Sequence, residues 1–234
     1  MLNPGLNVDL LRTQYQQDNR VRINGFLVPT VADEIEQCLR EVLDFDLIFF
    51  NEGTNYAMSE DELSSVGSAG RQKLQQELAK LASEGIGFLY SGYRMKGDKL
   101  DVAPPVLRDL YDFINSEQVL GLIASITGVE GIKSASGQYT RYTAGQYLTR
   151  HSDDVRVEGR LVAYVLNFTR QWHPDWGGLL QFYENNGVPR EAWEPRFNSV
   201  SLFDVSHVHS VTYVVPHALM PSYALTGWFN SQLI

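Results

Sequence analysis

The sequence predicts one α+β domain, with its helices first and a β-sandwich or barrel second. Two observations carry this reading. Apolar residues recur at helical spacing across much of residues 1–130, whereas from Ile132 onward β-branched and aromatic residues fall into short runs cut by Gly, Asn and Pro. A third observation is size. The 234 residues, 44% hydrophobic and 20% charged, suffice for one core of generous volume, and no repeat, low-complexity tract or linker divides them. The expected layout is therefore a single domain over 1–234, with 1–130 a mainly helical bracing part and 131–234 the β-rich part.

Taken in order, Val21 to Leu27 reads as a short strand that ends at Pro29. Thr30 then looks like an N-cap with Asp33 and Glu34 in the first turn, and Ile35, Leu39, Val42 and Leu43 continue at helical spacing to Asp44. A second helical region can start at Ser59-Glu60-Asp61-Glu62. Gly67 and Gly70 interrupt it before Leu74, Leu78 and Leu81 resume one stripe over Gln72 to Ala82. The polar, Ser-rich segment 51–71 fits either a helix or a mobile lid. Two more helices are expected over Pro105–Asn115 and Glu117–Thr127, each ending near Asn or Gly. Strands are expected over Gly137–Thr143, Arg160–Phe168, Gly178–Tyr183, Ser199–Asp204, Val208–Val215 and Tyr223–Phe229.

Charge narrows the functions available. Nineteen Lys and Arg against 28 Asp and Glu leave a formal charge of −9, so a nucleic-acid backbone would meet a repulsive field and a basic partner an attractive one. The single cysteine, Cys38, cannot form an internal disulfide, which fits a reducing compartment. The polar start of the chain and the absence of a long apolar run give no sign of a membrane segment, and a cytoplasmic location is the expectation.

Five histidines could do chemistry: His151, His173, His207, His209 and His217. The informative one stands in His151-Ser152-Asp153 at the end of a strand run. Side chains at i and i+2 of a strand leave the same face, so an imidazole nitrogen and a carboxylate oxygen can reach one ion. A third ligand must come from elsewhere. His209 lies on a later strand run, and two histidines with one carboxylate form the facial triad of nonhaem Fe(II) oxygenases. His207 competes with it, because a regular strand would point both to the same face. His173 and His217 lie beside prolines in loops, where surface or structural roles prevail.

The flanking sequence resembles a known family. Tyr142 to Asp153, Gly159 to Asn167, Trp176 to Tyr183, Phe203-Asp204-Val205 leading to His209-Ser210-Val211, and the closing Tyr223 to Phe229 occur in the order seen in 2-oxoglutarate/Fe(II)-dependent prolyl hydroxylases. The resemblance covers about residues 138 to 230 and is nearest the group acting on a ribosomal protein. It implies a double-stranded β-helix (jelly-roll) core braced by N-terminal helices, with Fe(II) held by His151, Asp153 and His209 rather than His207. It also implies 2-oxoglutarate as cosubstrate, O2 as oxidant, ascorbate as an accessory reductant, and a prolyl residue of a protein or peptide as substrate. Tyr142, Asn167, Ser222, Thr226 and Trp228 fall at its cosubstrate positions.

One departure stands out. The family places an Arg or Lys for the distal carboxylate of 2-oxoglutarate where this chain has Ser222, and a tyrosine where it has Asn167. Burying a carboxylate without a partner costs several kcal/mol, so another group must compensate. Arg141, Arg150, Arg160 and Arg170 all lie in the right half, although alternation puts Arg141 on the face opposite Tyr142. Two other readings follow: an oxygenase of the same fold with a small-molecule substrate or a different cosubstrate anchor, and a non-catalytic jelly-roll binding protein.

Overall fold

The computed structural model describes residues 1–233. The chain opens with α1 (Val8–Asp18), β1 (Arg20–Asn24) and α2 (Pro29–Glu41), then a hairpin of β2 (Asp46–Asn51) and β3 (Thr54–Met58). Helices α3 (Glu60–Ser65) and α4 (Gly67–Ser83) lead to β4 (Phe88–Arg94), and α5 (Asp98–Asp101), α6 (Pro105–Ile114) and α7 (Glu117–Thr127) complete the first half. The second half is built on strands: β5 (Ser134–Ala135), β6 (Gln138–Tyr142), β7 (Tyr147–His151), β8 (Arg160–Asn167), β9 (Leu180–Tyr183), β10 (Pro189–Trp193), β11 (Ser199–Asp204), β12 (His209–Val211) and β13 (Ser222–Asn230). Among the described residues, no helix is long and apolar enough to cross a membrane.

Ten strands hydrogen-bond in the order β1-β11-β8-β13-β6-β4-β7-β12-β9-β10, each pair antiparallel. This ribbon curls on itself, and side chains link its two ends. Arg20 on β1 pairs with Glu191 on β10 at 3.0 Å, and the Arg22 guanidinium lies 5.0 Å over the Trp193 ring. The expected jelly-roll core is thus observed, as a curled half-barrel braced by helices.

Strand alternation sorts the two faces. On β8, Val162, Tyr164 and Leu166 join Val21, Ile23, Leu202 and Phe229 against Leu39, Leu107, Leu110 and Ile123 of the helices. Each fully buried aliphatic side chain there contributes about 1.5–3 kcal/mol. The alternate residues, Ala163 and Val165, face the inside of the roll with Phe182, Phe203, Trp193 and Trp228. Close backbone approach fixes two glycines. A Cβ on Gly227 would stand 2.0 Å from the Ser136 carbonyl oxygen, and one on Gly177 would stand 2.0 Å from that of Tyr213.

The first half is built on helices and also contributes more strands than expected. Strands β1 and β4 enter the main ribbon, and β2–β3 extends it from β4. β4, Phe-Leu-Tyr-Ser-Gly-Tyr-Arg, is buried along most of its length, so it lacks the alternation that marks a half-exposed strand. Thr30 is not a cap: α2 begins at Pro29, whose missing N–H costs nothing in a first turn. Segment 51–71 is the end of the hairpin, then α3 with a Ser59/Glu62 capping box, then the start of α4. The helix ends predicted at Asn115 and Gly128 are observed, Gly128 with φ +73°.

Candidate metal centre and its cavity

His151 is the last residue of β7 and His209 the first of β12, and the two are register partners across that antiparallel pair. Their rings lie 4.2 Å apart between centroids. Asp153 follows β7 and is held by its own backbone, since its N–H donates to the Val205 carbonyl at 3.0 Å just beyond β11. The carboxylate then stands between the rings, Oδ1 3.5 Å from His151 Nε2 and Oδ2 3.5 Å from His209 Nε2. One ligand atom from each of the three residues lies within 4.8 Å of the others, the spacing needed around a single ion.

The rings are oriented from behind. His151 Nδ1 is 2.9 Å from the Thr149 carbonyl, and His209 Nδ1 is 3.0 Å from the His207 carbonyl. A carbonyl only accepts, so each Nδ1 carries the proton and each Nε2 offers its lone pair to the shared space. Burial, then the charge of neighbouring His151, push the His209 pKa down to about 4, so this ligand is neutral at ordinary pH. Burial also acts to lower the pKa of His151, but the Asp153 carboxylate outweighs it and the net shift is upward. For Asp153, burial acts to raise the pKa, and the two imidazoles more than reverse it, so the carboxyl is ionised. The Trp228 indole N–H acts on the same carboxylate, at a geometry short of a regular hydrogen bond that leaves Nε1 buried and unpartnered.

His207 takes no part. Its Nε2 is 2.8 Å from the Asp18 carbonyl and its ring stands edge-on to Phe182, so β12 begins after it and only His209 enters the pair with β7. Two imidazoles and a carboxylate whose Nε2 and Oδ atoms converge in a mostly buried site fit a divalent transition metal such as iron(II).

The triad opens on a cavity of about 1400 Å³ that runs through the inside of the roll. Beside the metal end, Arg160 lies 3.5 Å over the Trp228 ring, 3.7 Å from Asp153 Oδ1 and 2.6 Å from Glu158 Oε2.

Sequence comparison places this geometry. The model of the 2OG-Fe(II) oxygenase superfamily matches residues 137–230. A curated relative, the prolyl 3-hydroxylase OGFOD1 of Xenopus laevis, is 31% identical over 115 residues, 46% of this chain and 22% of that protein. The match thus spans about a fifth of the relative's length. Two solved structures share the fold. A Pseudomonas putida prolyl-4-hydroxylase aligns with TM-score 0.61 and 17% identity over 97% of this chain and 100% of its own. A Trichoplax adhaerens prolyl hydroxylase, solved with a hypoxia inducible factor oxygen degradation domain peptide fragment, aligns with TM-score 0.62 and 19% identity over 96% and 89%.

The far end of the cavity holds the remaining candidates. Tyr142 and Ser222 are register partners, and Ala224 pairs with both Thr140 and Asn167, so these side chains line one wall. Among the described residues, the Tyr142 hydroxyl and Ser222 Oγ have no hydrogen-bond partner, and Asn167 has only a 3.5 Å contact to the Val165 carbonyl. Thr226 stands nearer the metal, its hydroxyl 3.5 Å from the Gln138 carbonyl. Tyr142, Asn167 and Ser222 on this wall are neutral hydrogen-bonding groups.

The arginines proposed as substitutes divide. Arg141 faces outward over Phe45 at 4.9 Å, as alternation required, and Arg170 is engaged by Asp33 and Glu36 on α2. Arg150 is exposed and lies 5.5 Å over Tyr183. Arg160 is spent on Glu158 and Asp153. Sequence reasoning missed Arg22 of β1, which also lines the cavity. Period-two alternation from Arg20 to Asn24 was its one available signal.

Proposed function

We propose that this chain is a nonhaem iron(II)- and 2-oxoglutarate-dependent dioxygenase that hydroxylates a prolyl residue of a protein or peptide. The observation that carries the reading is the convergence of His151, Asp153 and His209 at the mouth of a large cavity inside the roll. When bound there, iron(II) with 2-oxoglutarate and O2 supplies the oxidising power to replace a substrate C–H bond with C–OH, releasing succinate and CO2.

The protein's own residues do the rest. Thr149 and His207 carbonyls hold the imidazoles with their lone pairs forward, and Val205 anchors the Asp153 backbone, so His151, Asp153 and His209 would hold the ion from one side and leave its other positions to cosubstrate and oxidant. Phe203 and Phe182 pack beside His209 at 4.8 and 6.4 Å and keep bulk water off that side of the ring. Arg160 and Trp228 form a cationic and aromatic lip where substrate would enter, a pair worth about 2 kcal/mol when sheltered from water.

Charge refines the partner. The chain as a whole carries −9, yet Arg22, Arg94, Lys96, Arg150 and Arg160 line the cavity against Asp153, Glu158 and Glu194. The cavity therefore suits an anionic cosubstrate, while the remaining surface attracts a basic substrate protein. The test is incubation with iron(II), 2-oxoglutarate and candidate proline-containing peptides. Succinate release with a gain of one oxygen on a prolyl residue supports the reading, and oxygen on a small molecule but no peptide moves the substrate class.

A further inference from the structure

A dicarboxylate bound at this metal needs a cation for its far end, and Tyr142, Asn167 and Ser222 on the far wall are neutral. Among the guanidiniums that line the cavity, that of Arg22 is mostly buried and still has hydrogen-bonding capacity left over. The Arg22 side chain is only 14% exposed, and its η-nitrogens face Glu194, Nη2 donating to the carbonyl at 2.9 Å and Nη1 lying 3.6 Å from Oε1. Its Nε is buried and has no partner. Directly across the β1–β11 ladder stands Ser201, 1% exposed, whose hydroxyl is likewise buried without a partner. Both residues line the cavity. An unpaired buried donor costs about 1–3 kcal/mol, and two of them as adjacent register partners are a cost the fold carries unless something fills the gap.

Position agrees with this. Ser201 is two residues from Phe203, whose ring lies 4.8 Å from that of His209. Two residues of strand advance about 7 Å, the scale of a five-carbon diacid whose bonds are each about 1.5 Å. Through Val165 and Thr226 the same row of the sheet continues to Gln138, so Arg22 and Ser201 lie nearer the metal than Ser222 does.

We infer that Arg22 and Ser201 form a carboxylate-binding subsite of the cavity, which takes the distal carboxylate of the 2-oxoacid. The guanidinium Nε–H and the hydroxyl donate to the two carboxylate oxygens, while Glu194 and Trp193 hold the arginine in place. The inference rests on the reading of the cavity as a 2-oxoacid site, and it moves the cationic anchor from β13 to the N-terminal strand β1.

The test measures binding, not turnover, on the full chain loaded with Zn(II) without oxygen. The probes are 2-oxoglutarate and 2-oxobutyrate, which shares the metal-chelating end and lacks the distal carboxylate. Arg22→Gln is expected to weaken 2-oxoglutarate by about tenfold or more, with 2-oxobutyrate and Zn(II) affinities unchanged. Arg22→Lys should fall between, and Ser201→Ala should cost a smaller factor on 2-oxoglutarate alone. These two variants carry the test if Arg22→Gln does not fold. Unchanged 2-oxoglutarate affinity in all three, or an equal loss for both probes, overturns the subsite and leaves the oxygenase reading standing. A native chain that binds Zn(II) and neither 2-oxoacid overturns both.

Discussion

The two ends of the cavity are built differently. At the metal end every important group is held: two imidazoles by backbone carbonyls, the carboxylate by both rings and Arg160, and the His209 ring by Phe203 and Phe182. At the far end the Tyr142 and Ser222 hydroxyls have no hydrogen-bond partner among the described residues, and Asn167 makes one weak contact. The contrast separates chemistry from selection. A metal site tolerates little positional freedom because its ligands must share one ion, whereas a wall of neutral donors can accept different ligands at modest cost.

The largest effects should come from the held end. His151→Ala and His209→Ala are each expected to abolish stoichiometric metal binding in a titration with Co(II) followed by absorbance, while His207→Ala retains it. Retention by His209→Ala with loss by His207→Ala would reverse the ligand assignment. Phe182→Ala removes a fully buried ring that packs against His209, Phe203 and Trp193. It should cost about 3–5 kcal/mol in urea unfolding, and a loss below 1 kcal/mol would mean that the inside of the roll is not the packed layer described.

Proton competition comes next. The upward shift at His151 and the value near 4 at His209 mean that, as pH falls, His151 is protonated first and must give up its proton to bind metal. Metal affinity should therefore drop by about tenfold per pH unit once pH is below the His151 pKa, with a second proton entering only near pH 4. Calorimetry in buffers of different ionisation enthalpy reads the proton count, and a two-proton dependence already at neutral pH would contradict the assigned states. The smallest effects belong to the loose end. Tyr142→Phe and Ser222→Ala should each change 2-oxoglutarate affinity by about fivefold or less, the worth of one neutral hydrogen bond. A hundredfold loss from either would erase the contrast between the two ends.

How far the sequence could be read follows the same division. His151-Ser152-Asp153 is local, and a strand's period of two suffices to bring its imidazole and carboxylate together. The choice of His209 over His207 needed the register with β7, which residue spacing leaves open and family resemblance resolved. Alternation placed Arg141 outside correctly because β6 is regular. Strand β4 was missed because burial on both faces removes its alternation. Arg22 escaped notice for another reason. Its partner Ser201 and its support Trp193 come from the opposite end of the chain, and only the closing of the ribbon makes them neighbours.

One titration tests the three-residue metal centre most directly: Fe(II) or Co(II) added to the native chain under anaerobic conditions, with His209→Ala beside it. One ion should bind per native chain, with the absorbance of a nitrogen and oxygen ligand set, and none should bind to the variant. Saturation of both proteins alike, or of neither, would contradict the assignment.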